Sequence, residues 1–206
     1  MVLSILLSPM SKIQPQHINL PNSELYYYPN LLELGVAQQW YQWLYHSLNW
    51  RQESLVVYGK AHKIPRLQAF CGDSHFSYSY SGKKFKSEIW PQGVKQLAEL
   101  ATQTCGAAFN SVLANLYRDG KDCMGWHADD EAELGKAPVI ASFSFGQPRI
   151  FKLKHRLSAQ QYDIELSNGS LLIMAGCTQE FWYHSLPKRL KLDKGRINLT
   201  FRYIHT

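Results

Sequence analysis

Asn115-Leu116-Tyr117-Arg118-Asp119-Gly120-Lys121-Asp122-Cys123-Met124-Gly125-Trp126-His127-Ala128-Asp129-Asp130-Glu131 is the stretch on which the reading turns. A strand-like run passes through a polar turn into a His-x-Asp pair. On extended backbone side chains alternate between faces, so His127 and Asp129 point the same way and can grip one ion. Imidazole and carboxylate suit Fe(II), Mn(II) or Zn(II) better than the metals that prefer thiolates, and two ligands leave a site incomplete. Either residue could equally be a surface or hydrogen-bonded structural group, because so short a motif is common by chance. A third ligand is offered by His184, in Trp182-Tyr183-His184-Ser185-Leu186-Pro187, which follows a strand-like apolar run. Two His and one carboxylate form a facial triad with coordination positions left open, the pattern of non-haem Fe(II) sites.

Working outward, Arg196-Ile197-Asn198-Leu199-Thr200-Phe201-Arg202 alternates strictly. Arg196, Asn198, Thr200 and Arg202 fall on one strand face and Ile197, Leu199 and Phe201 on the other. An edge strand with its polar face in water would read the same way. Two guanidinium groups with an amide and a hydroxyl between them also make a donor-rich surface suited to carboxylates. Beside an iron, such a face would hold a dicarboxylate.

Taken together, Asn115-x-Tyr117, His127-x-Asp129, His184 and Arg196-x-Asn198-x-x-x-Arg202 resemble, in order, spacing and flanking residues, the AlkB family of Fe(II)/2-oxoglutarate-dependent nucleic-acid demethylases. Within it the resemblance is to the animal enzymes that repair alkylated double-stranded DNA, and it runs from about Val57 to Tyr203. It implies a double-stranded β-helix, or jelly roll, with Fe(II) on His127, Asp129 and His184. It implies 2-oxoglutarate among Asn115, Tyr117, Arg196, Asn198, Thr200 and Arg202, with the arginines' division between the two carboxylates left open. The implied reaction uses O2 to demethylate N-alkylated bases of the 1-methyladenine and 3-methylcytosine type in DNA, releasing succinate, CO2 and formaldehyde. RNA demethylation, or hydroxylation of a protein or small molecule, stands as the alternative, since fold and iron site do not fix the substrate.

The resemblance also assigns substrate contacts. Val57-Tyr58-Gly59 would be a finger that wedges into the duplex beside an extruded base; a tight turn with Tyr58 packed on the sheet is the other reading. Arg66 closes the basic run that follows. Tyr78 and Tyr80, on one strand face, would stack on the damaged base or pack across a hairpin. Asp130 and Glu131 would hydrogen-bond the base, and a carboxylate there would favour a cationic lesion. Arg189 and Lys191, within Lys188, Arg189, Lys191 and Lys194, would contact phosphate, although a solvated charge run has the same composition. The segment from His155 to Gln161 is shorter and less basic than the counterpart that contacts the undamaged strand, which leaves strand preference open.

Composition agrees with a single enzyme domain. The chain has 206 residues, of which 45% are hydrophobic and 18% charged, enough apolar surface for a core and too little charge for a disordered chain. A net charge of +6 and a pI near 9.1 favour a polyanionic partner. Four cysteines without a Cys-x-x-Cys pair argue against a zinc knuckle or a disulfide framework. Residues 1–22 read as a loosely held leader and 23–206 as one catalytic domain with a nucleotide-recognition lid at about 55–85. The apolar opening Val2 to Leu7 is too short to span a bilayer and lacks a signal peptide's basic start. A cytoplasmic monomer, nuclear in a eukaryote, is therefore expected.

The periodicity predicts a strand at Leu25–Tyr28 and helices over Leu34–Leu48 and Pro91–Cys105, the second stopped by Gly106. Strand-like runs fill much of the remainder, including Phe109–Tyr117, Val139–Phe145, Arg149–Leu153, Tyr162–Leu166 and Ser170–Met174. A mostly β chain with flanking N-terminal helices is the expected class.

Overall fold

The computed structural model describes residues 14–57, 60–73, 77–80 and 83–205. Strands β1 (Gln16–Ile18) and β2 (Glu24–Tyr28) precede helix α1 (Leu34–Ser47). Strand β3 (Ser54–Val57) pairs with β4 (Lys60–Lys63), β5 (Leu67–Gly72) follows, and β6 (Ser77–Tyr80) pairs with β7 (Lys83–Lys86). After β8 (Glu88–Ile89) comes helix α2 (Gln92–Cys105). The second half is β9 (Ser111–Tyr117), β10 (Met124–His127), β11 (Ile140–Gly146), β12 (Arg149–His155), β13 (Gln161–Leu166), β14 (Ser170–Ala175), helix α3 (Thr178–Phe181), β15 (Trp182–Leu186) and β16 (Arg196–Arg202).

The helices form for the reasons their sequences offer. In α1, Ala37, Trp40 and Leu44 recur at helical spacing and are buried on one side. Helix α2 starts behind Pro91 and stops at Gly106, whose φ of 75° is left-handed and whose N–H closes on the Thr102 carbonyl.

An eight-stranded sheet runs in the order β1-β2-β14-β11-β16-β9-β5-β8, and a four-stranded sheet in the order β10-β15-β12-β13. Period-two alternation decides what each face of the large sheet meets. Leu171 and Ile173 of β14 join Trp40, Leu44, Val94 and Leu97 in the core under the helices. Their neighbours Leu172 and Met174 join Phe151, Leu153 and Trp182 of the small sheet. The two sheets therefore face one another as the jelly roll predicts, with α1 and α2 covering the outside of the large one. Burying a large apolar side chain in this way contributes about 1.5–3 kcal/mol each.

Strand β16 is central, bonded to β11 on one side and β9 on the other. The edge-strand reading of residues 196–202 is thus set aside: all seven are buried. Among the described residues, β1, β7, β8, α3 and a 3-10 turn at Ala132–Leu134 were not anticipated. Strand β1 has a single apolar residue in Gln-His-Ile and owes its conformation to the β2 ladder. Strand β7 carries three lysines, β8 has two residues, and α3 is too short for periodicity to register. No helix among the described residues is long and apolar enough to cross a membrane.

Candidate metal and cosubstrate site

His127 is the last residue of β10 and pairs in register with His184 of β15. Asp129 lies two residues past the strand end, in a segment without regular structure. One ligand atom from each of the three residues fits within a 4.8 Å span. The His127 and His184 ring centroids are 4.1 Å apart, and His127 Nε2 is 4.0 Å from Asp129 Oδ1.

Each ligand is oriented by a further contact. His127 Nδ1 lies 2.9 Å from the Gly125 carbonyl, which takes the ring N–H and makes Nε2 the nitrogen that faces Asp129. His184 stacks on Phe151, centroids 5.2 Å apart. Arg202 donates both Nη2 (2.8 Å) and Nε (3.3 Å) to Asp129 Oδ2. The other oxygen, Oδ1, is buried with no hydrogen-bond partner. A buried orphan acceptor is costly, and a cation between the two imidazoles would satisfy it. The Asp129 backbone N–H donates to Gln179 Oε1 (2.9 Å), from α3. The loop beyond the strand is thereby tied down without a ladder.

Protonation favours a cation too. Burial, and then the neighbouring His127, hold His184 down at about 3; burial likewise lowers His127. Both rings are neutral near pH 7, with lone pairs available. Burial pushes the Asp129 carboxyl up, but Arg202 and the two imidazoles outweigh it and leave it at about 2. Two neutral nitrogens and one carboxylate fit a borderline divalent ion such as Fe(II).

The cavity behind the triad is lined by the polar faces of β9, β11 and β16. Arg196 is buried at its far end and donates to Ser144 Oγ (2.8 Å), while its guanidinium lies 5.4 Å from the centre of the Tyr117 ring. Its Nε has no hydrogen-bond partner and, among the described residues, it makes no ion pair. Burial lowers it to about 10, so it stays charged. An uncompensated buried cation calls for an anion. Between the two arginines, Asn198 donates to Ser142 Oγ and to the Phe143 carbonyl, and Thr200 donates to Asn198 Oδ1. On β9, Asn115 accepts from Arg66 and Gln68 through Oδ1.

This cradle coincides with the span of a known family. The model described as the 2OG-Fe(II) oxygenase superfamily matches residues 24–202. The chain belongs to the 2OG-Fe(II) oxygenase superfamily.

Among its relatives, bovine DNA oxidative demethylase ALKBH2 is 40% identical over 72% of this chain and 56% of that protein. Bovine alpha-ketoglutarate-dependent dioxygenase alkB homolog 3 is 34% identical over 86% of this chain and 65% of that protein. The Arabidopsis thaliana DNA oxidative demethylase ALKBH2 is 31% identical over 96% of this chain and 72% of that protein. The chain thus spans between just over half and two thirds of the length of the bovine relatives. The solved structure of OsALKBH1 superposes with a TM-score of 0.57 at 17% identity, covering 92% of this chain and 99% of that one; that likeness shows the fold.

His127, Asp129, His184, Asn115, Tyr117, Arg196, Asn198, Thr200 and Arg202 all line one cavity. The outer residues are placed differently. Asp130 is exposed and ion-paired to Arg156 at 2.7 Å, and that guanidinium also sits 4.3 Å from the Tyr183 ring centre. Glu131 is half-buried beside it. Arg66 is buried, its Nε on Asn115, behind the cosubstrate wall rather than at the surface. Arg189 and Lys191 are exposed on the loop after β15. Val57 ends β3, and Tyr78 and Tyr80 lie in β6; Tyr58 and Gly59 lie outside the described residues. Ser142, Ser144, Gln179 and Arg149 were not singled out by sequence, where each reads as an ordinary polar residue of a strand or turn.

Proposed function

We propose that this protein is a DNA repair dioxygenase that oxidatively demethylates N-alkylated bases of the 1-methyladenine and 3-methylcytosine type. The observation that carries the reading is the pairing of an orphaned Asp129 oxygen between two neutral imidazoles with an unpaired, buried Arg196 in the same cavity. One end suits a divalent cation and the other a carboxylate. The names of the relatives support the substrate class.

Fe(II) and 2-oxoglutarate, when bound, supply hydroxylation of the N-methyl carbon at the expense of O2, with the oxo acid leaving as succinate and CO2. The chain's own residues position the partners. Arg202, holding Asp129 Oδ2, would make Oδ1 the carboxylate oxygen that holds the metal together with His127 and His184. Because Arg202 sits at the metal end, Arg196 takes the distal carboxylate of 2-oxoglutarate, oriented by Ser144. Tyr117, Asn115, Asn198 and Thr200 fill the wall between. The hydroxymethyl product needs no side-chain nucleophile: loss of formaldehyde restores the base.

In this reading the lesion enters from the Trp126 and Tyr183 side, where Asp130 and Glu131 edge the metal. The lid would be drawn from about residues 55–85, with Tyr78 and Tyr80 the candidates to stack on the base and Val57-Tyr58-Gly59 the candidate finger. Lys188, Arg189 and Lys191 line an open groove of about 690 Å³ that suits a phosphate backbone. Incubation with Fe(II), 2-oxoglutarate and a 3-methylcytosine oligonucleotide should release formaldehyde and succinate in equal amounts, with the unmethylated strand giving neither. Succinate with no formaldehyde from methylated DNA or RNA would move the substrate to another class. Tyr58→Ala should lose activity mainly on duplex substrate, where base extrusion costs a few kcal/mol; equal loss on single strands would remove the finger.

A further inference from the structure

Arg149 opens β12 in the small sheet, and only 2% of it is exposed. Its guanidinium donates to three main-chain carbonyls, those of Asp119 (3.2 Å), Asp122 (3.0 Å) and Pro187 (2.8 Å). These bonds clamp two loops but supply no negative charge. Asp122 is taken by Arg118, whose Nε and Nη2 bind its two oxygens at 2.7 and 2.8 Å. Among the described residues Arg149 therefore makes no ion pair, and its Nε is buried without a partner. The group sits 5.9 Å from the centre of the Tyr117 ring, the same ring that carries Arg196 at 5.4 Å. Two buried guanidinium groups thus lie within 6 Å of one phenol ring, and among the described residues neither makes a direct ion pair.

A carbonyl clamp could be built with a neutral side chain. Burying a second full cation near Arg196, with its nearest acid Asp122 already bound by Arg118, is costly unless something negative arrives. Arg149 is among the causes lowering Arg196, whereas Arg149 itself is lowered chiefly by burial and supported in part by the nearby Asp122 carboxylate. Tyr117 and Arg196 line the cavity, whereas Arg149 lines the open groove that also carries Arg189 and Lys191 and reaches the cavity only past the Tyr117 ring.

We propose that Arg149 is the second cation of the cosubstrate site, acting through space past Tyr117 so that the far end of the cavity selects oxo acids carrying a second carboxylate. The inference rests on the 2-oxoglutarate reading above and makes Arg149 a positioning and selectivity residue, since it does not touch the ligand. Its charge would favour the distal carboxylate by about tenfold at the separations involved and an effective dielectric typical of protein sites.

The test separates charge from clamp. Dissociation constants for 2-oxoglutarate and for 2-oxobutyrate, which lacks the second carboxylate, are measured on the Mn(II)-loaded protein for wild type, Arg149→Lys, Arg149→Gln and Arg149→Met, with melting curves alongside. Wild type should favour 2-oxoglutarate strongly. Arg149→Lys should keep that ratio within about threefold even if melting falls, whereas Gln and Met should cut it about tenfold, as loss of one nearby charge requires. Gln keeps N–H donors for the carbonyls, so it still reports if Met does not fold. An unchanged ratio in Gln, or a loss in Lys equal to that in Gln, would make Arg149 a clamp only and overturn the proposal. Wild type that binds neither acid would instead remove the cosubstrate reading beneath it.

Discussion

Along β16, Ile197, Leu199 and Phe201 face α1 and α2 while Arg196, Asn198, Thr200 and Arg202 face between the sheets, and both sets are buried. The apolar face closes on complementary apolar surface and its free energy goes into the fold. The polar face meets partners that satisfy it only in part: Ser142 and Ser144 hold Asn198 and Arg196, Asp129 holds Arg202, and a cation and an oxygen remain unmatched. Equal burial with unequal satisfaction separates a core from a site. The incomplete side is where a ligand completes the electrostatics.

Substitutions on the two sides should break different things. The largest effect is expected from the triad. His127→Ala should abolish demethylation with a smaller loss of melting temperature, because the ring keeps some exposure and strands no charge when removed. Asp129→Ala should abolish it and also destabilise by roughly 3–5 kcal/mol, because it strands the buried Arg202 charge. Turnover in either variant, or identical melting for both, would contradict this pairing of roles.

Next in size, Phe201→Ala on the helix side should cost about 3–5 kcal/mol of stability and leave the 2-oxoglutarate dissociation constant of the folded fraction unchanged. Denaturant unfolding with parallel ligand titration checks both. Arg196→Met sharpens the contrast from the other side. It should weaken 2-oxoglutarate binding roughly tenfold to a hundredfold, as expected for a charge-assisted contact, while apo melting stays level or rises because an unpaired buried charge is gone. A fall in melting like that of Phe201→Ala would erase the distinction between the faces.

The smallest effect concerns the loop outside both faces. Gly120 exchanges main-chain hydrogen bonds with Arg189 and Leu192, and a Cβ there would lie 1.8 Å from the Arg189 carbonyl oxygen. Gly120→Ala should displace the Lys188 to Leu192 loop, weaken duplex DNA binding and reduce its salt dependence by about one phosphate contact, with 2-oxoglutarate affinity intact. Unchanged salt dependence would detach that loop from nucleic-acid binding.

Much of this was legible in the chain because the deciding signals are local. His127-x-Asp129 and the alternation of residues 196–202 are short patterns, and the apolar spacing of α1 and α2 sets their buried faces. What was not legible depends on separation. Gln179 meets Asp129 across 50 positions, Ser144 meets Arg196 across 52, and Arg149 meets the Asp119 carbonyl across 30. A serine alternating with phenylalanine in β11 looks like an exposed strand face until a second sheet closes over it. The sequence also placed Arg202 on the cosubstrate alone, whereas its strongest contact is the carboxylate of a metal ligand.

One cavity should bind a divalent metal at His127, Asp129 and His184 and a dianion reaching from it to Arg196. Anaerobic titration of 2-oxoglutarate into the Fe(II)-loaded protein reads this directly, because a 2-oxo acid chelating Fe(II) gives a visible absorption band. The band should saturate at one equivalent in wild type, be absent in His127→Ala and need much more 2-oxoglutarate in Arg196→Met. A wild-type protein with no band, or the same band at the same concentration in both variants, would contradict it.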